Sequence, residues 1–167
     1  MATLNILHYP DSRLRRIAEP IATVDKSIQK LAEDMLNTMY EAPGIGLAAP
    51  QINVTKQIIV IDITEDKSDP FVFINPEIID RQGSSENEEG CLSIPNVFET
   101  VTRAEEITIR YLNQYGKSQE LHAKDLLATC IQHEIDHLSG KLFIDYLSKL
   151  KISRIRKKIE KQHRRAI

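Results

Sequence analysis

Residues 132–137 read Gln-His-Glu-Ile-Asp-His. They contain His-Glu-x-x-His, two imidazoles one helical turn apart with a carboxylate beside them. Such a pair can chelate one metal ion while the carboxylate handles a proton. With His133 set at 0° and about 100° per residue, His137 falls near 40° and Glu134 near 100°. Leu126, Leu127, Cys130, Ile131 and Leu138 fall within about 20–160° on the same wheel. The histidines therefore share the apolar arc, while Thr129, Gln132 and Asp136 take the opposite side. Two imidazoles and a carboxylate on an apolar arc are costly to desolvate unless something compensates them. A dication does so directly. The plainer alternative is a pair of hydrogen-bonded core histidines.

A third metal ligand is not obvious downstream. Zinc proteases of the metzincin type place a third His six residues after the second, and that position here is Phe143. The acidic residues after His137 are Asp145, close in sequence, and Glu160, within a basic segment. Upstream stands Glu88-Glu89-Gly90-Cys91-Leu92-Ser93-Ile94-Pro95. A Cys91 thiolate suits Zn²⁺ or Fe²⁺, although Cys91 also reads as a small buried residue. Cys130, one turn before His133, is the competing sulfur. Because a third ligand normally arrives from another segment, Cys130 reads as pocket lining or core. Further upstream, Gly44-Ile45-Gly46-Leu47-Ala48-Ala49-Pro50-Gln51 reads as a turn entering a strand. The same strip could leave backbone groups open to an extended peptide, and the Gln51 amide could donate to a developing oxyanion.

The elements that must carry these residues follow from periodicity. A helix is expected over 26–41, capped by Asp25, with Ile28, Leu31, Met35 and Met39 on one face and Pro43-Gly44 as the stop. Residues 57–63 and 71–79 read as strands, 107–113 as a half-buried strand, and 118–123 as its hairpin partner. A second helix is expected over 125–138, with Asp125 as N-cap and Gly140 past its end. A third is expected over 148–165. Helices flanking a middle of strands point to an α+β fold rather than repeated βαβ units.

The chain has 167 residues, 41% of them hydrophobic and 28% charged, as expected for one globular domain over 1–167. No apolar run approaches a membrane span. The start lacks a basic n-region followed by an apolar h-region, so a cytoplasmic location, reduced cysteines and no membrane association are expected. The net charge of −2 hides an asymmetry: 149–167 carries nine Lys/Arg and one Glu, a net of +8, leaving −10 for the remainder. A basic tail on an acidic body suggests an anionic partner.

The three clusters in this order resemble the peptide deformylase family: Gly44-Ile45-Gly46-Leu47-Ala48-Ala49-Pro50-Gln51, then Glu89-Gly90-Cys91-Leu92-Ser93, then Gln132-His133-Glu134-Ile135-Asp136-His137. The resemblance extends to the opening Leu-His-Tyr-Pro-Asp-Ser-Arg-Leu-Arg and the basic C-terminal segment. It implies β-sheets packed around a central metal-binding helix, with a C-terminal helix. It implies an activity, removal of the N-formyl group from the formyl-methionine of nascent polypeptides. Cys91, His133 and His137 become the implied ligands of one divalent ion, physiologically Fe²⁺, with Zn²⁺ or Ni²⁺ able to occupy the site.

In the implied reaction Glu134 takes a proton from water acidified by the metal and later returns one to the departing amine. The metal, the Gln51 side chain and the Leu92 backbone N–H stabilise the oxyanion. Gly44, Ile45 and Gly46 align the substrate backbone. Ile45, Leu126, Thr129, Cys130 and His133 line the methionine pocket. Glu89 is placed at the substrate site, paired with Arg103 beneath it, and Gln132 and Asp136 are candidates to support the ligands. The resemblance further implies a bacterial, monomeric enzyme whose basic helix docks on the ribosome near the exit tunnel. Two rivals remain: an endopeptidase, distinguished by cleavage of N-blocked internal peptides, and a non-catalytic RNA-binding module, distinguished by the absence of metal and of formate release.

Overall fold

Asp25 starts the first helix as its spacing predicts. In a computed structural model describing residues 2–165, its carboxylate accepts the Ile28 N–H at 3.1 Å. The helix, α1, spans Lys26–Glu41 and buries Ile28, Ala32, Met35 and Met39. It ends where Pro43 can no longer continue it, and the Gly44 N–H turns back to the Met39 carbonyl at 2.7 Å.

Seven strands follow: β1 (Gly46–Ala48), β2 (Ile58–Ile61), β3 (Phe71–Gln82), β4 (Ser85–Cys91), β5 (Ile94–Arg103), β6 (Glu106–Leu112) and β7 (Ser118–Lys124). Five form one antiparallel sheet in the order β1-β2-β3-β6-β7, and β4 pairs with β5 in a separate hairpin. The continuous apolar run of β2 is buried at all four positions, because both faces of its sheet are covered. Ile58 and Val60 pack with Met35 and Met39 of α1. Ile59 and Ile61 pack with Ala128, Cys130 and Ile131 of the second helix, α2 (Asp125–Leu138). The third helix, α3 (Lys149–Arg165), lays Ile155 against Ile94, Val97 and Val101 of β5, together with Phe143 and Ile144. The α+β expectation and the central position of α2 are thus realised. No helix among the described residues is long and apolar enough to cross a membrane.

One element is new and several local expectations change. The β4–β5 hairpin is not evident in the sequence, because Ser-Glu-Asn-Glu-Glu-Gly-Cys carries no apolar alternation; β5 supplies the buried residues that anchor it. Asp125 is not the N-cap of α2. Strand β7 runs directly into the helix, Lys124 occupies the cap position without a side-chain bond, and the Asp125 N–H donates to the Glu105 carbonyl at 3.1 Å. Thr129 and Gln132 do not face water either: both are buried, because α2 is enclosed on nearly every side. Leu126, placed on the apolar arc, is instead 51% exposed.

Candidate active site

Three segments meet at the buried side of α2. The helix contributes His133, Glu134 and His137, the end of β4 contributes Cys91, and the stretch from α1 through β1 to the 3-10 turn Ala49–Ile52 contributes Gly44–Gln51. One donor atom each from Cys91, His133 and His137 lies within 4.8 Å of the other two. Cys91 Sγ is 3.5 Å from His137 Nε2. For metal–sulfur and metal–nitrogen bonds of about 2.3 and 2.05 Å, a tetrahedron separates S from N by about 3.6 Å. That separation suits a tetrahedral ion, and the three donors are close enough together to share one.

The surroundings of His133 favour positive charge. Burial opposes a charged His133, but Glu134, Cys91 and Glu89 outweigh it and hold its pKa well above the usual value. Burial and the neighbouring His133 hold His137 well below its usual value, keeping it neutral. Burial pushes the Glu134 carboxyl up to about 7, against the downward pull of His133. Glu134 Oε1 is 4.0 Å from His137 Nε2 and, though buried, has no hydrogen-bond partner among the described residues. An unpaired buried carboxylate oxygen is expensive, and here it points to a site built for a cation and a proton donor. Cys130 differs from Cys91: burial, and then Glu134, push its thiol up to about 12. It stays protonated and lies outside the donor cluster.

Gln51 is fully enclosed and its amide is oriented by the backbone. Its Oε1 accepts the Ala48 N–H at 2.8 Å, so its Nε2 donates towards Ser93 Oγ at 3.0 Å and Cys91 Sγ at 3.5 Å. Leu92 follows Cys91 in the tight turn of the β4–β5 hairpin, and its side chain covers Gly44: a Cβ at Gly44 would sit 2.6 Å from Leu92 Cδ1. A Cβ at Gly46 would overlap Glu134 Oε2. Both glycines thus make room for a close approach, and a side chain at either would displace Leu92 or Glu134.

A cavity of about 650 Å³ opens beside these groups. Gly44, Ile45 and Gly46 form one wall; Leu126, Thr129 and Cys130 form another; His133, Glu134 and Gln51 lie at its base. Ile45 and Leu126 are both partly exposed at its mouth. Glu89 also borders the cavity, but its carboxylate is already engaged. Arg103 Nε and Nη2 donate to Glu89 Oε2 and Oε1 at 2.7 and 2.8 Å, and His133 Nδ1 is 2.9 Å from Oε1. The Glu89 carboxylate thus braces His133 while the residue itself lines the cavity. The Glu89–Arg103 pair anticipated from the sequence is present. Gln132 and Asp136 do not touch the donor atoms: Gln132 bonds Ala104 and Ala128, and Asp136 bonds Arg103 and Tyr146. Sequence reasoning gave no role to Ser93, which fixes the Gln51 amide, or to Phe98, which lines the cavity and overlies Gly90. Ser93 lies inside a recognised motif, whereas Phe98 lies in a stretch with no pattern.

An α+β fold that brings a Cys and two helix-borne His around a buried, unpaired Glu defines a metallohydrolase-type site. Residues 3–153 match the family model for polypeptide deformylase. The chain is 70% identical to a peptide deformylase of Nitrosococcus oceani over 98% of both chains. It is 57% identical to peptide deformylase 1 of Pseudomonas syringae, also over 98% of both. The crystal structure of a peptide deformylase from Legionella pneumophila superposes with a TM-score of 0.94 at 52% identity, covering 98% of this chain and 96% of that one. The Ehrlichia chaffeensis enzyme in complex with actinonin gives 0.94 at 40% identity, covering 98% and 99%. The chain belongs to the polypeptide deformylase family.

Proposed function

We propose that this chain hydrolyses the formyl amide of formyl-methionyl polypeptides, releasing formate and a free amino terminus. The observation that carries this reading is the convergence of the Cys91, His133 and His137 donors with the unpaired Glu134 oxygen at the base of an apolar-walled cavity. Cys91, His133 and His137 would hold one divalent ion. Fe²⁺ is the proposed physiological metal, and the sulfur–nitrogen set also suits Zn²⁺ or Ni²⁺. When bound, such an ion supplies Lewis acidity, acidifying water and polarising the formyl oxygen.

The remaining chemistry belongs to the chain's own groups. Gly44, Ile45 and Gly46 offer backbone to an extended peptide, while Ile45, Leu126, Thr129 and Cys130 enclose the methionine side chain. Glu134, held near neutrality by burial, takes a proton from the attacking water as its oxygen bonds to the formyl carbon. The Gln51 amide and the Leu92 N–H donate to the oxygen that gains charge. The C–N bond then breaks, and Glu134 returns the proton to the departing nitrogen.

Formate release from formyl-Met peptides, measured with metal analysis on the same sample, tests this. Glu134→Gln should retain the metal and lower turnover by about 10²–10⁴-fold. Undiminished turnover would remove Glu134 from its role, and cleavage of N-blocked internal peptides instead would make the chain an endopeptidase.

The proposed setting is the bacterial cytoplasm, with the ribosome surface near the exit tunnel as partner of α3. The support is an exposed basic row including Arg154, Lys157 and Lys161. Replacing Lys157 and Lys161 with Gln should weaken ribosome binding and flatten its dependence on salt. A salt-independent affinity would reject electrostatic docking.

A further inference from the structure

The two histidines of the proposed metal site are supported unequally. His137 Nδ1 is buried and has no hydrogen-bond partner among the described residues, whereas His133 Nδ1 is held by Glu89 at 2.9 Å. Behind Glu89 the contacts continue without interruption to the surface. Arg103 grips both Glu89 oxygens through Nε and Nη2, and its Nη1 donates to Asp136 Oδ2 at 2.7 Å. The Tyr146 hydroxyl donates to that same Asp136 oxygen at 2.7 Å. The Tyr146 ring also lies against the guanidinium, 5.0 Å from Arg103 Cζ to the ring centroid. The Arg103 side chain is 4% exposed, so it has little water to turn towards if a partner is lost.

We infer that Asp136 and Tyr146 are positioning residues for the metal ligand His133, acting through Arg103 and Glu89. This inference rests on the proposed ligand set. Glu89 accepts the Nδ1 proton and so commits His133 to present Nε2 towards Cys91 and His137. Glu89 can do this only while Arg103 fixes both of its oxygens. Glu89 alone would neutralise Arg103 but leave its Nη1 without a partner in a buried position, and Asp136 supplies that partner. Asp136 takes the third guanidinium nitrogen, leaving the other two for Glu89, and Tyr146 fixes Asp136 by hydroxyl and ring face together. The charge of the relay, two carboxylates and one guanidinium, is net negative, which favours a cation on the far side of the imidazole. The relay reaches the surface at a cavity of about 420 Å³ lined in part by Arg103, Asp136 and Tyr146.

Chelator competition against the Zn²⁺-loaded protein tests this directly. Asp136→Asn and Tyr146→Phe should each weaken metal affinity by about tenfold or more, with the KM for a formyl-Met peptide unchanged. Tyr146→Phe removes one oxygen and keeps the ring, so it should fold. Asp145→Asn is the control. Asp145 shares the 3-10 turn Phe143–Tyr146 with Tyr146, and the substitution breaks its 2.6 Å pair with Arg15, so it should lower thermal stability without changing metal affinity. Unchanged affinity in both relay variants, or an equal loss in Asp145→Asn, overturns the relay while leaving the ligand set standing. A wild-type protein that holds no metal at Cys91, His133 and His137 overturns both.

Discussion

Cys91 and Cys130 carry the same sulfur, and their surroundings separate them. Cys91 stands at the end of β4 with the Gln51 amide and His137 Nε2 both at 3.5 Å. Cys130 is buried against the sheet, and burial together with Glu134 keeps it a thiol. Cys91→Ser should therefore weaken metal binding or shift its spectrum on Co²⁺ substitution, because a hydroxyl is a poorer ligand for a soft site. Cys130→Ala should leave the metal spectrum alone and act on the cavity wall, raising KM. The reverse pattern would exchange their roles. The sequence favoured Cys91 through its place in an ordered motif, but it could not show the contact. Both cysteines are three-dimensionally near the helix histidines, and only the hairpin geometry shows which sulfur faces them.

At the scale of elements, the buried cluster of Glu89, Arg103 and Asp136 locks the β4–β5 hairpin to α2. Burial alone would raise the Glu89 carboxyl, but Arg103 outweighs it, and the folded-state pKa lies below the ordinary 4.5. A carboxylate depressed in this way stabilises the fold above its unfolded value, and that stabilisation is lost as pH falls through the folded value. Arg103→Met would leave Glu89 buried without its cation. The expected cost is about 3–5 kcal/mol near neutral pH. Protonation relieves that penalty, so the gap between wild type and variant should narrow as pH falls from 7 towards 4. Urea unfolding of both proteins, stripped of metal, measures it; a gap independent of pH would mean that Glu89 is not the group left stranded.

Legibility at this scale was uneven, for identifiable reasons. Helix α1 and strands β2, β3, β6 and β7 lie close to their expected bounds because each has one clear periodicity. The β4–β5 hairpin was not legible, since its stabilising partners are far in sequence: Arg103 with Asp136, and Val97 and Val101 with Ile155. Helix α2 keeps its expected bounds, but its cap differs from the expected Asp125 for the same reason. Its first N–H is satisfied by Glu105 across a hairpin rather than by a local cap.

For the whole molecule, the proposed metal would tie two separately built layers together. Cys91 belongs to the two-stranded hairpin that packs on α3, while His133 and His137 belong to the helix that packs on the five-stranded sheet. A ligand that binds only the folded state stabilises it by mass action, about 4 kcal/mol when present at a thousand times its dissociation constant. Chelation should therefore lower the melting temperature of the wild type markedly and that of Cys91→Ser much less. Equal shifts would show that the ion does not bridge the layers.

The sequence by itself determined the reacting groups. The i and i+4 histidines with an adjacent Glu follow from helical geometry, and the ordered company of Gly44–Gln51 and Glu89–Ser93 identified the family and its chemistry. Local periodicity also determined most of the elements. Tertiary structure decided what depends on long-range approach. It placed Cys91 rather than Cys130 against the histidines, turned Glu89 behind His133, enclosed Thr129 and Gln132, and pressed Glu134 onto Gly46. The physical reason is that a wheel or a spacing records only neighbours along one element. Burial, orphaned oxygens and shifted acidities arise where elements distant in sequence pack together.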